Sequence, residues 1–211
     1  MRITIVFDNE VWTEGLRATW GFACFVEAYG KKILFDTGSN GTILLENMKK
    51  LNIDPTTIDS IFISHAHGDH TGGLRDILRM HQVPVYVPDS YSIHMKGIEI
   101  IKVKDTLKIS ENIFSTGELK SIEQSLVINT EKGIVVIVGC SHPGVHVILN
   151  VVSQFGKIIA LIGGLHGFSR FDLIKELQYI CPAHCTRHKS KIEALYPLKY
   201  IKGGVGRVIT V

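Results

Sequence analysis

The residues Ile63-Ser64-His65-Ala66-His67-Gly68-Asp69-His70-Thr71-Gly72-Gly73-Leu74 place three imidazoles and one carboxylate within six positions. Nitrogen and oxygen donors at this density suit a transition-metal ion. His65, His67 and Asp69 alternate, so an extended segment would turn all three to one side, while His70 must point elsewhere. Two ligand directions from one short loop suit two ions about 3.5–4 Å apart, the spacing of binuclear hydrolytic sites. The small residues Ala66, Gly68, Gly72 and Gly73 fit a tight loop of this kind. A histidine-rich surface loop without an ion is the bland alternative, and it does not explain the spacing.

Such a loop needs a frame. Ser60–Ile63 reads as a short buried strand, and residues 71–80 as a helix with Leu74, Ile77 and Leu78 on one side. Before them, residues 1–7 are predicted as a strand. Residues 21–28 and 32–36 are predicted as a hairpin around Tyr29-Gly30-Lys31, and residues 41–51 as a helix. The second half repeats this grammar. Strands are predicted over 83–87, 98–103, 109–114, 126–129, 134–138, 157–162, 179–181 and 207–211. Helices are predicted over 145–155, 171–178 and 190–195. Three further histidines, His142, His166 and His184, each follow a strand and precede a glycine- or proline-containing turn or a helix. An isolated histidine is usually no ligand. Three in one shared context make His142 and His184 candidates to complete the metal site. Asp36, at the end of the hairpin, is a candidate to accept the second N–H of a metal-bound imidazole, and it can also cap the following helix.

Composition bounds the function. The chain has 211 residues, 45% hydrophobic and 20% charged, which fits a single globular domain and excludes a disordered chain. A net charge of +3, with basic residues scattered except for Arg187-His188-Lys189-Ser190-Lys191, does not suggest a nucleic-acid partner. No run of about 18 apolar residues is present, so no membrane span is expected. The opening strand lacks the features of a signal peptide, so a cytoplasmic location and reduced cysteines are expected. A structural zinc at Cys181-Pro182-Ala183-His184-Cys185 would need a second knuckle, which the chain lacks.

The pattern His-x-His-x-Asp-His after an apolar strand resembles the signature of the metallo-β-lactamase-fold superfamily. That resemblance implies one α+β domain over residues 1–211, a four-layer αββα sandwich with two mixed sheets and outer helices. Two successive halves of strands and helices agree with such layers. Asp36-Thr37-Gly38, Glu123-Gln124-Ser125-Leu126, Gly139-Cys140-Ser141-His142, Gly163-Gly164-Leu165-His166 and Pro182-Ala183-His184-Cys185-Thr186 further resemble a subgroup typified by a dihydropterin-(ribofuranosyl)aminobenzene-phosphate synthase. The superfamily's usual bridging Asp stands here as Cys140, and Glu123 lies where a ligating histidine is usual. Cys140 is read either as a soft ligand replacing that Asp or as a small buried residue. Whether Glu123 joins the site stays open.

The resemblance implies a metal-dependent hydrolase with ligands His65, His67, Asp69, His70, His142 and His184. Zinc is the expected ion, one or two per chain, with iron or manganese as alternatives. Asp69 would also hold and deprotonate the attacking water. His166 would act as an acid or an anion contact, with a third-ligand role as the alternative. The expected substrate is a small phosphorylated or ester-like molecule. Two other readings are a pterin-related enzyme forming a C–N bond, and a non-hydrolytic metal-binding or di-iron redox protein.

Overall fold

A computed structural model describes all 211 residues. In chain order its strands are β1 (Arg2–Phe7), β2 (Ala23–Ala28), β3 (Lys31–Phe35), β4 (Ser60–Phe62), β5 (Val85–Pro88), β6 (Ile100–Val103) and β7 (Leu107–Ser110). They continue with β8 (Ile113–Ser115), β9 (Leu126–Thr130), β10 (Gly133–Val138), β11 (Ile158–Gly164), β12 (Tyr179–Ala183) and β13 (Val208–Thr210). The helices are α1 (Gly41–Lys50), α2 (Gly68–Thr71), α3 (Leu74–Met80), α4 (Val145–Val152) and α5 (Lys189–Leu195). No helix is long and apolar enough to cross a membrane.

The strands form two mixed sheets, one ordered β13-β1-β2-β3-β4-β5-β6 and the other β12-β11-β10-β9-β8-β7. Alternation along the strands splits the apolar residues between layers. In β10, Val135 and Ile137 face the opposite sheet, while Ile134, Val136 and Val138 face helices. The inter-sheet layer contains 20 buried residues, among them Ile5, Phe22, Phe35, Phe62 and Ile162. A second cluster packs α1 and α3 on the first sheet through Leu44, Met48, Leu74 and Ile77. A third packs α4 and α5 on the second sheet through Val145, Ile148 and Ile192. Helix, sheet, sheet, helix is the αββα sandwich.

Parallel pairing decides where chemistry can sit. β3, β4 and β5 run parallel, as do β10, β11 and β12. Their carboxyl ends therefore open on one edge of each sheet. Asp36, the His65–His70 loop, Cys140, His142, His166 and His184 all follow such ends.

Three predicted elements are corrected. The helix over 71–80 is the shorter α3, with a separate turn, α2, before it; Gly72 between them lies against backbone, where a Cβ would stand 2.3 Å from the Ser39 carbonyl oxygen. The strand over 109–114 is a hairpin of β7 and β8, turning at Asn112 with φ +62°. The helix over 171–178 is one 3₁₀ turn, Phe171–Ile174, after which the Gln178 N–H donates to Ile159 O as the chain enters β12.

Candidate metal centre

The loop after β4 turns into α2 at Gly68, with His67 as the residue that precedes the helix. This corrects the expected alternation. His65 and His67 stay on one side, with His65 Nε2 3.1 Å from His67 Nδ1. Asp69, carried round by the helical turn, joins His70 on the other side. The Asp69 carboxylate oxygen lies 3.8 Å from His70 Nε2 and 3.1 Å from His184 Nε2. The His142 ring stands 4.8 Å from the rings of both His65 and His67. Two groups result: His65, His67 and His142, and beside them Asp69, His70 and His184.

Cys140 stands between them. Its Sγ lies 3.3 Å from His70 Nε2 and 3.1 Å from Cys185 Sγ. The donor atoms of His65, Cys140 and His142 all lie within 4.8 Å of one another. So do those of His70, Cys140 and His184, and those of Cys140, His166 and Cys185. Cys140 is common to all three.

The environment of these side chains fits a cation. His142 Nε2 is buried with no partner, and buried polar atoms are rarely left so. Burial, with His166 beside it, pushes His142 down to about 4. Burial, with His70 beside it, pushes His184 down to about 3. Burial and the neighbouring imidazoles push His65 far down as well. Neutral imidazole is the ligating form. Burial also pulls on His70, but the Asp36 carboxylate outweighs it and raises His70.

Hydrogen bonds behind the candidate ligands fix which nitrogen carries the proton. The Ser64 hydroxyl donates to Asp36 Oδ2 at 2.7 Å, so Ser64 Oγ accepts from His65 Nδ1 at 2.9 Å and leaves His65 Nε2 as the unprotonated nitrogen, facing His67. His70 Nδ1 donates to the same Asp36 oxygen at 2.7 Å, leaving Nε2 free. His184 Nδ1 donates to Asn9 Oδ1 at 3.0 Å, leaving Nε2 to face Asp69. Asp36 therefore orients two imidazoles, one of them through Ser64. Asp36, Ser141, His166 and His184 all hold left-handed backbone conformations, with φ from +46° to +59°. Each such non-glycine residue costs on the order of 1–2 kcal/mol, a concentration of strain that marks functional loops.

Glu123 does not face the donors. One of its oxygens accepts from the N–H groups of Gly139, Cys140 and Ser141, and the other from that of His142. It shapes the loop that carries two candidate ligands. His166 is exposed at the mouth, its ring 4.8 Å from that of His142. The structure thus gathers His65, His67, Asp69, His70, His142 and His184, sets Asp36 behind them, and leaves His166 at the rim. Trp20 and Asn9 carry no motif that sequence reasoning could use, and Ser64 and Cys185 lie inside the quoted motifs without a role read from them. Trp20 is 58% exposed, and its indole N–H donates to Asp69 at 2.9 Å.

A 7,8-dihydropterin-6-methyl-4-(beta-D-ribofuranosyl)-aminobenzene-5'-phosphate synthase from Methanocaldococcus jannaschii is 29% identical, covering 88% of this chain and 85% of that protein. An uncharacterized protein of the same organism is 26% identical, covering 98% of this chain and 99% of the other. The solved structure of a metal-dependent hydrolase of the beta-lactamase superfamily superposes with a TM-score of 0.81 at 24% identity, covering 100% of this chain and 99% of that one, and so shares the fold. The family model for the metallo-beta-lactamase superfamily matches residues 21–154, more than half of the chain, and the protein belongs to that superfamily.

Proposed function

We propose that the protein is a metal-dependent hydrolase of a small phosphorylated or ester-like molecule. The observation that carries this reading is the pair of adjoining donor groups around Cys140, opening beside a partly exposed Asp69 and an exposed His166. His65, His67 and His142 would hold one ion, and Asp69, His70 and His184 a second, with Cys140 between them. Zinc suits this nitrogen, oxygen and sulfur donor set, and iron or manganese would suit its nitrogen and oxygen part. A bound divalent ion supplies Lewis acidity and brings the pKa of water towards about 7.

The chain's own groups do the rest. Burial works against ionisation of Asp69, yet His70, His184 and the Trp20 N–H hold its carboxyl below the ordinary carboxylate value. An ionised Asp69 at neutral pH can orient an attacking water and take its proton at Oδ2. His166 can offer a ring N–H to a developing oxyanion or leaving group at the mouth. With a net charge of +3 and basic residues scattered along the sequence, a small metabolite in a cytoplasmic setting is the partner proposed.

A second reading follows from one observation, the 29% identity over most of the chain to a pterin-pathway synthase. In that case the reaction joins carbon to nitrogen, and turnover requires a pterin pyrophosphate co-substrate. Protein purified without added metal, analysed for bound ions and assayed on phosphodiester, phosphomonoester and ester panels, tests the first reading. Retained metal with turnover that His142→Ala abolishes is expected. Protein reconstituted with zinc, iron or manganese that turns over no member of the panels would overturn it.

A further inference from the structure

We propose that Cys140 and Cys185 are an oxidisable pair whose disulfide empties the metal centre. The inference rests on the reading of Cys140 as a metal ligand. The two sulfurs lie 3.1 Å apart although the residues are 45 positions apart in the chain. They come from the loops after β10 and β12, and Gly164 of β11 lies between. A Cβ at Gly164 would stand 2.7 Å from Cys185 Sγ and 3.2 Å from the Cys140 Cα, so the approach of the two thiols depends on the absence of a side chain there. A disulfide requires the sulfurs to close by about 1 Å, from contact to a bond of about 2.05 Å. The other two cysteines, Cys24 and Cys181, are wholly buried in the inter-sheet layer.

Access is unequal. Cys185 is half-buried, whereas Cys140 is 2% exposed. A peroxide would therefore meet Cys185 first. The Cys185 thiol and hydrogen peroxide give a sulfenic acid and one water. The Cys140 sulfur then attacks the Cys185 sulfur, the S–S bond forms, and the hydroxyl leaves with a proton as a second water. Two thiols lose two electrons and two hydrogens, and the peroxide is reduced to two waters. A dithiol reductant reverses the change by exchange through a mixed disulfide.

The effect on metal follows from position. Cys140 is the one residue shared by all three donor groups. A disulfide sulfur is no thiolate, and the thiolate is the metal ligand. One covalent bond would thus weaken both histidine groups together. The reverse also holds, because an ion on Cys140 competes with attack on Cys185.

The test reads thiols and metal instead of turnover, so it is independent of the substrate. Metal-free wild-type protein is treated with hydrogen peroxide, denatured and titrated for free thiols, then digested and mapped. The count is expected to fall from four to two, with a Cys140–Cys185 linked peptide. Zinc-loaded wild type and Cys185→Ser are then oxidised in the presence of a chromophoric chelator. Release of zinc from wild type, retention by Cys185→Ser, and recovery after dithiothreitol are expected. Absence of the linked peptide in metal-free wild type overturns the proposal, whatever the variant does. A linked peptide formed without zinc release also overturns it and removes Cys140 from the ligands, while the histidine-based hydrolase reading stands.

Discussion

Asp36 Oδ2 accepts from His70 Nδ1 at 2.7 Å, and both side chains are wholly buried. The same carboxylate takes the Ser64 N–H and hydroxyl, so it holds the tautomers of two imidazoles. Asp36→Asn keeps the volume and loses one acceptor. Metal affinity is expected to fall about 10–100-fold, as for other residues that orient ligands. Competition against a chromophoric chelator measures it, and unchanged affinity would place His70 outside the ligand set.

Glu123→Gln tests the cradle under Cys140 and His142. A glutamine presents one oxygen and one amide nitrogen where the carboxylate accepts from four N–H groups. At least one buried donor then loses its partner, at roughly 1–3 kcal/mol. A lowered melting temperature together with weaker metal binding is expected. A lowered melting temperature with metal content intact would make Glu123 purely structural.

His142→Ala, His184→Ala and His166→Ala separate ligand from acid. The first two variants should lose metal affinity by more than the roughly 100-fold of an orienting residue. His166→Ala should retain its metal and lose about 10²–10⁴-fold in turnover. Metal content of the three proteins, measured side by side, decides the matter. If His166→Ala lost metal and His142→Ala kept it, the two roles would exchange.

Acid should unfold the metal-free protein partly through His184. Burial holds this imidazole at about 3 in the folded chain, against about 6.5 when unfolded. The unfolded state therefore binds the proton first, and stability falls as pH drops below about 6.5. The loss from this one group between pH 8 and pH 5 is on the order of 1–2 kcal/mol. The raised carboxyls of Asp36, Glu123 and Asp8 act in the opposite direction, so a difference is needed. His184→Asn has no such charge and suits the left-handed backbone at this position. Relative to wild type it should gain stability from pH 8 to pH 5 in urea melts. Parallel curves would show that His184 titrates normally.

Much of this architecture was legible in the residues. In β10 and β11 the segments Ile134–Val138 and Ile158–Ile162 are uninterrupted apolar runs, and buried parallel strands read that way. The motif His65–His70 and the strand-end histidines pointed to the loops that the fold brings together. What stayed hidden depends on long-range geometry. Trp20 and Asn9 come from an irregular loop before β2 and reach Asp69 and His184 only after the sheets have packed. Glu123 could be singled out as a departure, but its service to four backbone N–H groups has no signature along the chain. Asp69 turns away from His65 and His67 because the helical turn of α2 begins at Gly68, one residue before it, where the alternation needs extended backbone.

The three packed layers draw on no candidate ligand: the inter-sheet cluster and the two helix-facing clusters consist of apolar side chains, and the donors stand only at the strand ends. Unlike a zinc finger, which is unfolded until it is loaded, this chain is therefore expected to fold before any ion binds. The choice of ion would then be made by a finished protein drawing on whatever metals surround it. With imidazole, carboxylate and thiol donors gathered together, identical polypeptide made in zinc-rich and iron-rich media should be recovered from the cells as two differently metallated populations.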